Sequence, residues 1–237
     1  MPSRETPEPD SRESARSRLP RLILVTGHFA DPAELLRRTR LTLEGGVRWV
    51  QLRAKERSAR NLYESAALLR PLTRDFDAAL IVNDRVDVAL ASGADGVHLP
   101  GNGFSVEHAR RMTGEKLLIG LSVHSREEIE AADAVSLDYV QFGPVYDTAS
   151  KRAFGLPKGT TALAEAARAA HDAGLRLVAI GGIGPAQAAE IAAAGADAIG
   201  TIGAIWAQAD IEAAARHFVA ATAAAFPPGA AGPSRTY

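Results

Sequence analysis

Residues 79–103 read ALIVNDRVDVALASGADGVHLPGNG. Two short apolar runs, ALIVN and GVHL, bracket a longer segment. Each run is nearly continuous in apolar side chains, the pattern of a strand covered on both faces, as in parallel sheets. A polar pair, Asn83-Asp84, stands where the first run ends. The second run ends in Pro100-Gly101-Asn102-Gly103, which contains no acid. The stretch therefore raises two questions: how many such units the chain holds, and whether Asp84 has a partner.

Working outward, the same alternation continues in both directions. The strand candidates are LILVT, WVQLR, ALIVN, GVHL, LLIGLS, YVQFG, LVAIGG and AIGTI. Between them lie helical segments such as DPAELLRRTRLTLEGG, SARNLYESAALLRPLTRDF, SREEIEAADAVS and GPAQAAEIAAAGA. Asp31, Ser58 and Ser125 stand at helix starts, where a side-chain oxygen can accept a free backbone N–H. Eight strand–helix units in about 200 residues predict a single-domain α/β fold, the (β/α)8 TIM barrel. The rival is an open doubly wound sheet, which the strand count disfavours.

The bulk composition narrows the function classes. Of 237 residues, 46% are hydrophobic and 23% charged, enough apolar material for one sizeable core. The formal net charge of -1 offers no electrostatic reason to bind nucleic acid or an anionic membrane. No run of about 18 apolar residues occurs, so no membrane-spanning helix is expected. The absence of cysteine excludes disulfides and thiolate chemistry and suits a reducing cytoplasm. Residues 1–20 are poor in apolar side chains and are expected to form a disordered tail, with the barrel over 21–223 and a loose tail over 224–237. A homo-oligomer is compatible with the sequence, which does not set the number of subunits.

A barrel places its functional residues at the C-terminal ends of its strands. Those ends carry Gln51, Arg53 and Lys55 after strand two, and Asn83, Asp84 and Arg85 after strand three. His98 follows in strand four, Ser122 and His124 in and after strand five. Thr148, Ser150, Lys151 and Arg152 stand in a long loop after strand six, with Gly181-Gly182 after strand seven and Thr201-Ile202-Gly203 after strand eight. Each has a plain structural explanation. Arg53 and Lys55 are solvated charges, Asn83-Asp84 a helix cap, His98 a packed histidine, His124 a capping or surface residue, and the glycine pair relief of a crowded turn. Together they suggest more. Glycine turns leading into helices make an anion cradle. Opposite, Arg53, Lys55 and Lys151 supply three cations, and Asp84 offers a carboxylate of the kind Mg²⁺ takes beside phosphate oxygens. The sequence has no paired-histidine zinc motif, P-loop or GxSxG elbow.

The ordered set QLRAK, NDRVDVALASGADGVHL, GLSVHS, DYVQFGPVYDTASK, AIGGI and GTIGAI resembles the thiamine phosphate synthase family, over roughly residues 21–222. That family joins hydroxymethylpyrimidine diphosphate to thiazole phosphate, or, in its tautomerase branch, aromatises the thiazole phosphate precursor. The resemblance implies the barrel, small phosphorylated substrates and a Mg²⁺ cofactor. It assigns Gln51, Arg53, Lys55, Asn83, Ser122 and Lys151 to the pyrimidine diphosphate, and Asp84 to magnesium. It assigns Thr148, Ser150, Gly182, Ile202 and Gly203 to the thiazole phosphate, although synthases usually carry Ser where Gly203 stands. Ser122, His124 and Lys151 are the catalytic candidates.

The departure lies after strand four, where the family's second magnesium-binding aspartate falls on Gly103. The LPGNGFS segment and His124 are closer to the tautomerase branch, in which a histidine at that place carries a proton. Lys55, Asn83, Asp84 and Lys151 are what a diphosphate-handling synthase needs. The sequence thus supports a synthase, with a tautomerase using His124 as the alternative and a non-catalytic thiazole phosphate-binding barrel as a third.

Overall fold

Short strands that bury both faces leave no unpaired edge only when their sheet closes on itself. This chain does so. The computed structural model describes residues 19–148 and 156–226. Its strands are β1 (Leu22–Val25), β2 (Trp49–Leu52), β3 (Ala79–Asn83), β4 (Gly96–Leu99), β5 (Leu118–Val123), β6 (Tyr139–Phe142), β7 (Arg176–Ile180) and β8 (Ala198–Thr201). They form one closed barrel in sequence order, with β8 parallel to β1. All eight expected runs are strands, and the (β/α)8 barrel is the fold.

The outer layer comprises α1 (Pro32–Glu44), α2 (Ala59–Asp75), α3 (Val86–Ser92), α4 (Val106–Thr113), α5 (Arg126–Glu130), α6 (Gly159–Asp172), α7 (Ala188–Ala193), α8 (Gly203–Trp206) and α9 (Ile211–Ala225). Asp31, Ser58 and Ser125 cap their helices, accepting the N–H groups of Glu34, Asn61 and Glu128. Two helical segments are shorter than their composition suggests. SREEIEAADAVS yields only α5 and a 3-10 turn over Ala134–Ser136, and GPAQAAEIAAAGA opens with a 3-10 turn over Pro185–Gln187. Conversely, α2 continues through Pro71, whose ring lies on the exposed face. The folded body also extends past both expected limits. Leu19 is buried among the residues that fill the barrel, and Phe226 is buried beneath the Arg21 guanidinium. Among the described residues no helix is long and apolar enough to cross a membrane.

Three aspartates tie the N-terminal face of the barrel. Asp95, Asp138 and Asp197 each stand immediately before an even-numbered strand. Each carboxylate accepts a backbone N–H from the preceding odd strand: Leu80 at 2.7 Å, Ile119 at 2.8 Å and Leu177 at 2.8 Å. Each also donates its own backbone N–H to the carbonyl of that same residue. A basic side chain from the helix layer completes each site: Arg70 of α2, Arg110 of α4 and His171 of α6. One side chain thus joins two strands and a helix, three times around the ring.

Inside, Trp49 and Tyr139 meet edge to face with centroids 5.5 Å apart. Gly120 admits the tyrosine: a Cβ there would lie 2.1 Å from its ring. Ile23, Ile81, Leu118, Val178 and Ala198 complete this apolar plug, with Leu19 packed against it. Any chemistry must therefore take place above it, at the C-terminal mouth.

Two outcomes follow for stability. Asp138 is fully buried against Arg110, and breaking a buried pair costs about 3–5 kcal/mol. Arg110 keeps its bonds to the Ser136 and Leu117 carbonyls, so Asp138→Ala should sit at the low end, about 3 kcal/mol by urea titration; a loss below about 1 kcal/mol would refute the tie. The Asp197 hydrogen bond raises the His171 pKa. A raised histidine pKa stabilises fully below the unfolded value, near 6.5, and the increment disappears as pH rises through the folded value. The stability difference between wild type and His171→Gln should therefore be larger at pH 5.5 than at pH 8.5.

Candidate active site at the barrel mouth

Alternation along a strand places every second side chain on the barrel axis. One step above the apolar plug, this rule brings up Gln51 on β2, Asn83 on β3, His98 on β4, Ser122 on β5 and Gln141 on β6. The corresponding positions on β7, β8 and β1 are Ile180, Gly200 and Val25. The floor of the mouth is thus divided. Five consecutive strands supply a polar arc, and the remaining three an apolar, glycine-containing one.

The polar arc is hydrogen-bonded within itself. Gln51 Nε2 donates to Asn83 Oδ1 at 3.1 Å. His98 lies between Tyr139 and Ser122, with Nδ1 3.1 Å from the phenol oxygen and Nε2 2.8 Å from the serine Oγ. Burial pushes the His98 pKa down to about 3, so the ring is neutral. Burial likewise raises the Tyr139 pKa, which keeps the phenol protonated. Among the described residues His98 is the one hydrogen-bonding partner of the Tyr139 hydroxyl, so the phenol donates to Nδ1. Nε2–H then donates to Ser122, and the serine hydrogen is left to point into the mouth. His98 is, as expected, a packed histidine. It fixes Ser122 as a donor.

Arg53 stands just above this arc, held by the exchange of its backbone N–H and C=O with the Thr26 hydroxyl. Its guanidinium is half-buried, and desolvation lowers its pKa. Among the described residues no acid pairs with it. A partly desolvated cation without a counter-ion is a place for an anionic ligand. Lys55 is exposed nearby in sequence.

Neither Asn83 nor Asp84 caps α3. The cap position is Arg85, without a side-chain bond, and Asn83 turns inward to Gln51. Asp84 adopts φ 71°, a left-handed conformation that non-glycine residues seldom take. Its N–H donates to the His98 carbonyl at 2.8 Å, which pins the carboxylate between the ends of β3 and β4. Gly103 is its neighbour: a Cβ at that position would lie 3.1 Å from Asp84 Oδ1. Position 103 is therefore where a second carboxylate would meet the first, and this chain places none there. Among the described residues no group of three His, Cys, Asp or Glu side chains converges. Asp84 suits a Mg²⁺ that brings phosphate oxygens and water as its other ligands, since Mg²⁺ commonly takes only one or two carboxylates.

Across the mouth, Gly181 and Gly182 have φ 105° and 68°. Side chains there would strike Pro144 and Tyr146 of the crossing loop, so the crowding explanation for this pair is correct. The same turn leaves the Gly182 N–H without a hydrogen bond among the described residues, as it does those of Ile202 and Gly203. Nothing lies nearer than 4.0 Å to a Cβ built on Gly203, so the serine usual in the family would fit. Thr148 is half-buried on the loop after β6; Ser150, Lys151 and Arg152 lie outside the described residues. His124 is exposed after β5, its Nδ1 2.6 Å from the Gly143 carbonyl. That carbonyl only accepts, so Nδ1 carries a hydrogen, and Nε2 has no partner among the described residues. Sequence reasoning missed Gln141 and the Tyr139 hydroxyl. A polar residue within the apolar run YVQF was the available signal.

Residues 22–205 match the family model described as Thiamine monophosphate synthase. The thiamine-phosphate synthase of Methanoculleus marisnigri is 45% identical over 177 residues, 75% of this chain and 82% of that protein. That of Moorella thermoacetica is 39% identical over 194 residues, covering 82% and 91%. The solved thiamine phosphate pyrophosphorylase from Pyrococcus furiosus matches with a TM-score of 0.77 at 32% identity, over 90% of this chain and all of that one (100%). With its barrel, its strand-end residues and its relatives in agreement, the chain belongs to the thiamine monophosphate synthase family.

Proposed function

We propose that this mouth joins hydroxymethylpyrimidine diphosphate to thiazole phosphate, releasing pyrophosphate and thiamine phosphate. The observation that carries this is Arg53, a half-buried cation with no acidic partner among the described residues. The thiazole-side cradle uses the N–H groups of Gly182, Ile202 and Gly203, with Thr148 and Ser150 on the loop after β6. The pyrimidine side uses Gln51 and Asn83 on the polar floor, and Arg53, Lys55, Ser122 and Lys151 around the diphosphate. Asp84 would hold a Mg²⁺, which would supply positive charge beside the departing diphosphate.

In the reaction, the bond from the pyrimidine methylene to the diphosphate oxygen breaks and the electron pair leaves with the oxygen. The thiazole nitrogen gives its lone pair to the same carbon. No side chain need form a covalent bond. Arg53, Lys55, Lys151 and the Ser122 hydroxyl stabilise the charge as it grows on the leaving group, and Ser122, fixed by His98, does this without reorganising. The two cradles hold nitrogen and carbon in line, the positioning that turns a two-substrate encounter into a local event. Because His98 and Tyr139 orient Ser122, its donor is in place before the substrate arrives.

The decisive experiment incubates the protein with both substrates and Mg²⁺ and follows thiamine phosphate by mass spectrometry. Product should form, and Asp84→Asn should lower its rate at least 100-fold. Asp84→Gly should be equally impaired yet unfold no earlier than wild type, since glycine relieves a left-handed backbone worth about 1 kcal/mol. Absence of product in the wild type would sink the synthase.

The tautomerase reading has one observation of its own, the Nε2 of His124, which has no partner among the described residues. It requires metal-independent aromatisation of the thiazole phosphate precursor that collapses in His124→Ala. The expected result is no such activity in the wild type.

A further inference from the structure

One amide nitrogen in the mouth has no partner among the described residues, and its side chain has no role in the account above. Gln141 faces inward from β6, two residues beyond Tyr139, and is only 5% exposed. Its Nε2 is buried without a hydrogen bond. Across the barrel on β2, Gln51 Oε1 is also buried and unpaired, although its Nε2 is occupied by Asn83. Native proteins rarely leave buried amide atoms unpaired, and an exception in a mouth points to the ligand that completes it.

The surroundings of Gln141 define what that ligand offers. Ser122 is its register partner on β5. On the other side Nε2 lies over Gly200, where a Cβ would come within 3.0 Å of it. The amide therefore stands at the seam between the polar arc and the glycine arc, on the floor beneath both rings. It presents a hydrogen-bond donor. Of the two rings, the thiazole has no acceptor to lend: its nitrogen must keep its lone pair free for attack. A pyrimidine has two ring nitrogens, and only one edge of the ring needs to face the leaving group.

We propose that Gln141 is a specificity-determining residue, whose Nε2 donates to a ring nitrogen of the pyrimidine substrate and so sets the rotation of that ring over the floor. Gln51 Oε1 faces the same substrate from β2 and accepts from an amino substituent on it. Donor and acceptor on opposite strands read two edges of one flat heterocycle. The assignment rests on the synthase function proposed above. It also gives Gly200 a purpose: a side chain there would push the amide off its position.

The test is calorimetric titration, with Mg²⁺ and without the thiazole substrate, of hydroxymethylpyrimidine diphosphate and of the two pyridine analogues in which one ring nitrogen is replaced by CH. Wild type should bind the parent about tenfold tighter than one of the two analogues, the value of one neutral hydrogen bond. In Gln141→Met the parent should weaken about tenfold and that preference should vanish, while thiazole phosphate binding stays unchanged. Gly200→Ala, which leaves Gln141 in the chain but crowds its amide, should move in the same direction. The assignment is overturned if the preference persists in Gln141→Met, if wild type never discriminates, or if the variant loses thiazole phosphate instead. Should Gln141→Met fail to fold, the shorter Gln141→Leu, which also lacks a donor, carries the same comparison. A wild type that binds no pyrimidine diphosphate at all overturns the synthase function first, and is told apart because it needs no variant.

Discussion

Closure of the sheet is the constraint on which everything else depends. Once eight parallel strands close, every second side chain must point at one axis, where space is limited. The lower part of that space is filled by Trp49 and Tyr139, which is possible only because Gly120 yields its volume. The next inward position on each strand then becomes the floor of a mouth. What those residues are decides what the mouth can hold. On β2 to β6 they are Gln51, Asn83, His98, Ser122 and Gln141, and on β7, β8 and β1 they are Ile180, Gly200 and Val25. A site for two unlike rings follows from a polar arc facing an apolar one.

The two ends of the barrel solve different electrostatic problems. At the N-terminal face, Asp95, Asp138 and Asp197 spend their carboxylates on backbone N–H groups and basic helix side chains. Those charges are satisfied internally. At the mouth the balance is left open. Among the described residues, Arg53 is half-buried without an acid, Asp84 holds a strained backbone without a salt bridge, and two amide atoms on the floor have no partner. Stability and function are thus separated along one axis, as the fold permits.

Gly103 is where this chain departs from the family pattern, and the geometry gives the departure a definite meaning. A side chain at that position would touch Asp84 itself. With one carboxylate instead of two, a Mg²⁺ held here would need the diphosphate for its other ligands. In the proposed reaction, metal and substrate would then depend on each other. The same single-carboxylate edge drew attention to the tautomerase branch, but Arg53 and the polar floor have no use in moving one proton on a thiazole.

Much of this was legible in the linear order of residues. The alternation of apolar runs with helical segments determined the barrel, because strands covered on both faces and joined by helices have few other ways to pack. Strand ends determined which residues surround the mouth, since in this fold that address is given by position in the chain. Helix starts at Asp31, Ser58 and Ser125 were equally local, each a single side chain reaching three residues ahead. Only the tertiary structure decided the rest. That Asn83 bonds Gln51 and does not cap a helix, that Tyr139 orders His98 and through it Ser122, and that three aspartates bind strand to strand are facts about neighbours 15 to 41 residues away. No local pattern encodes them. A glutamine inside an apolar strand reads as an anomaly in sequence, and it becomes a candidate reader of substrate only when closure turns it inward over Gly200 and leaves its amide alone.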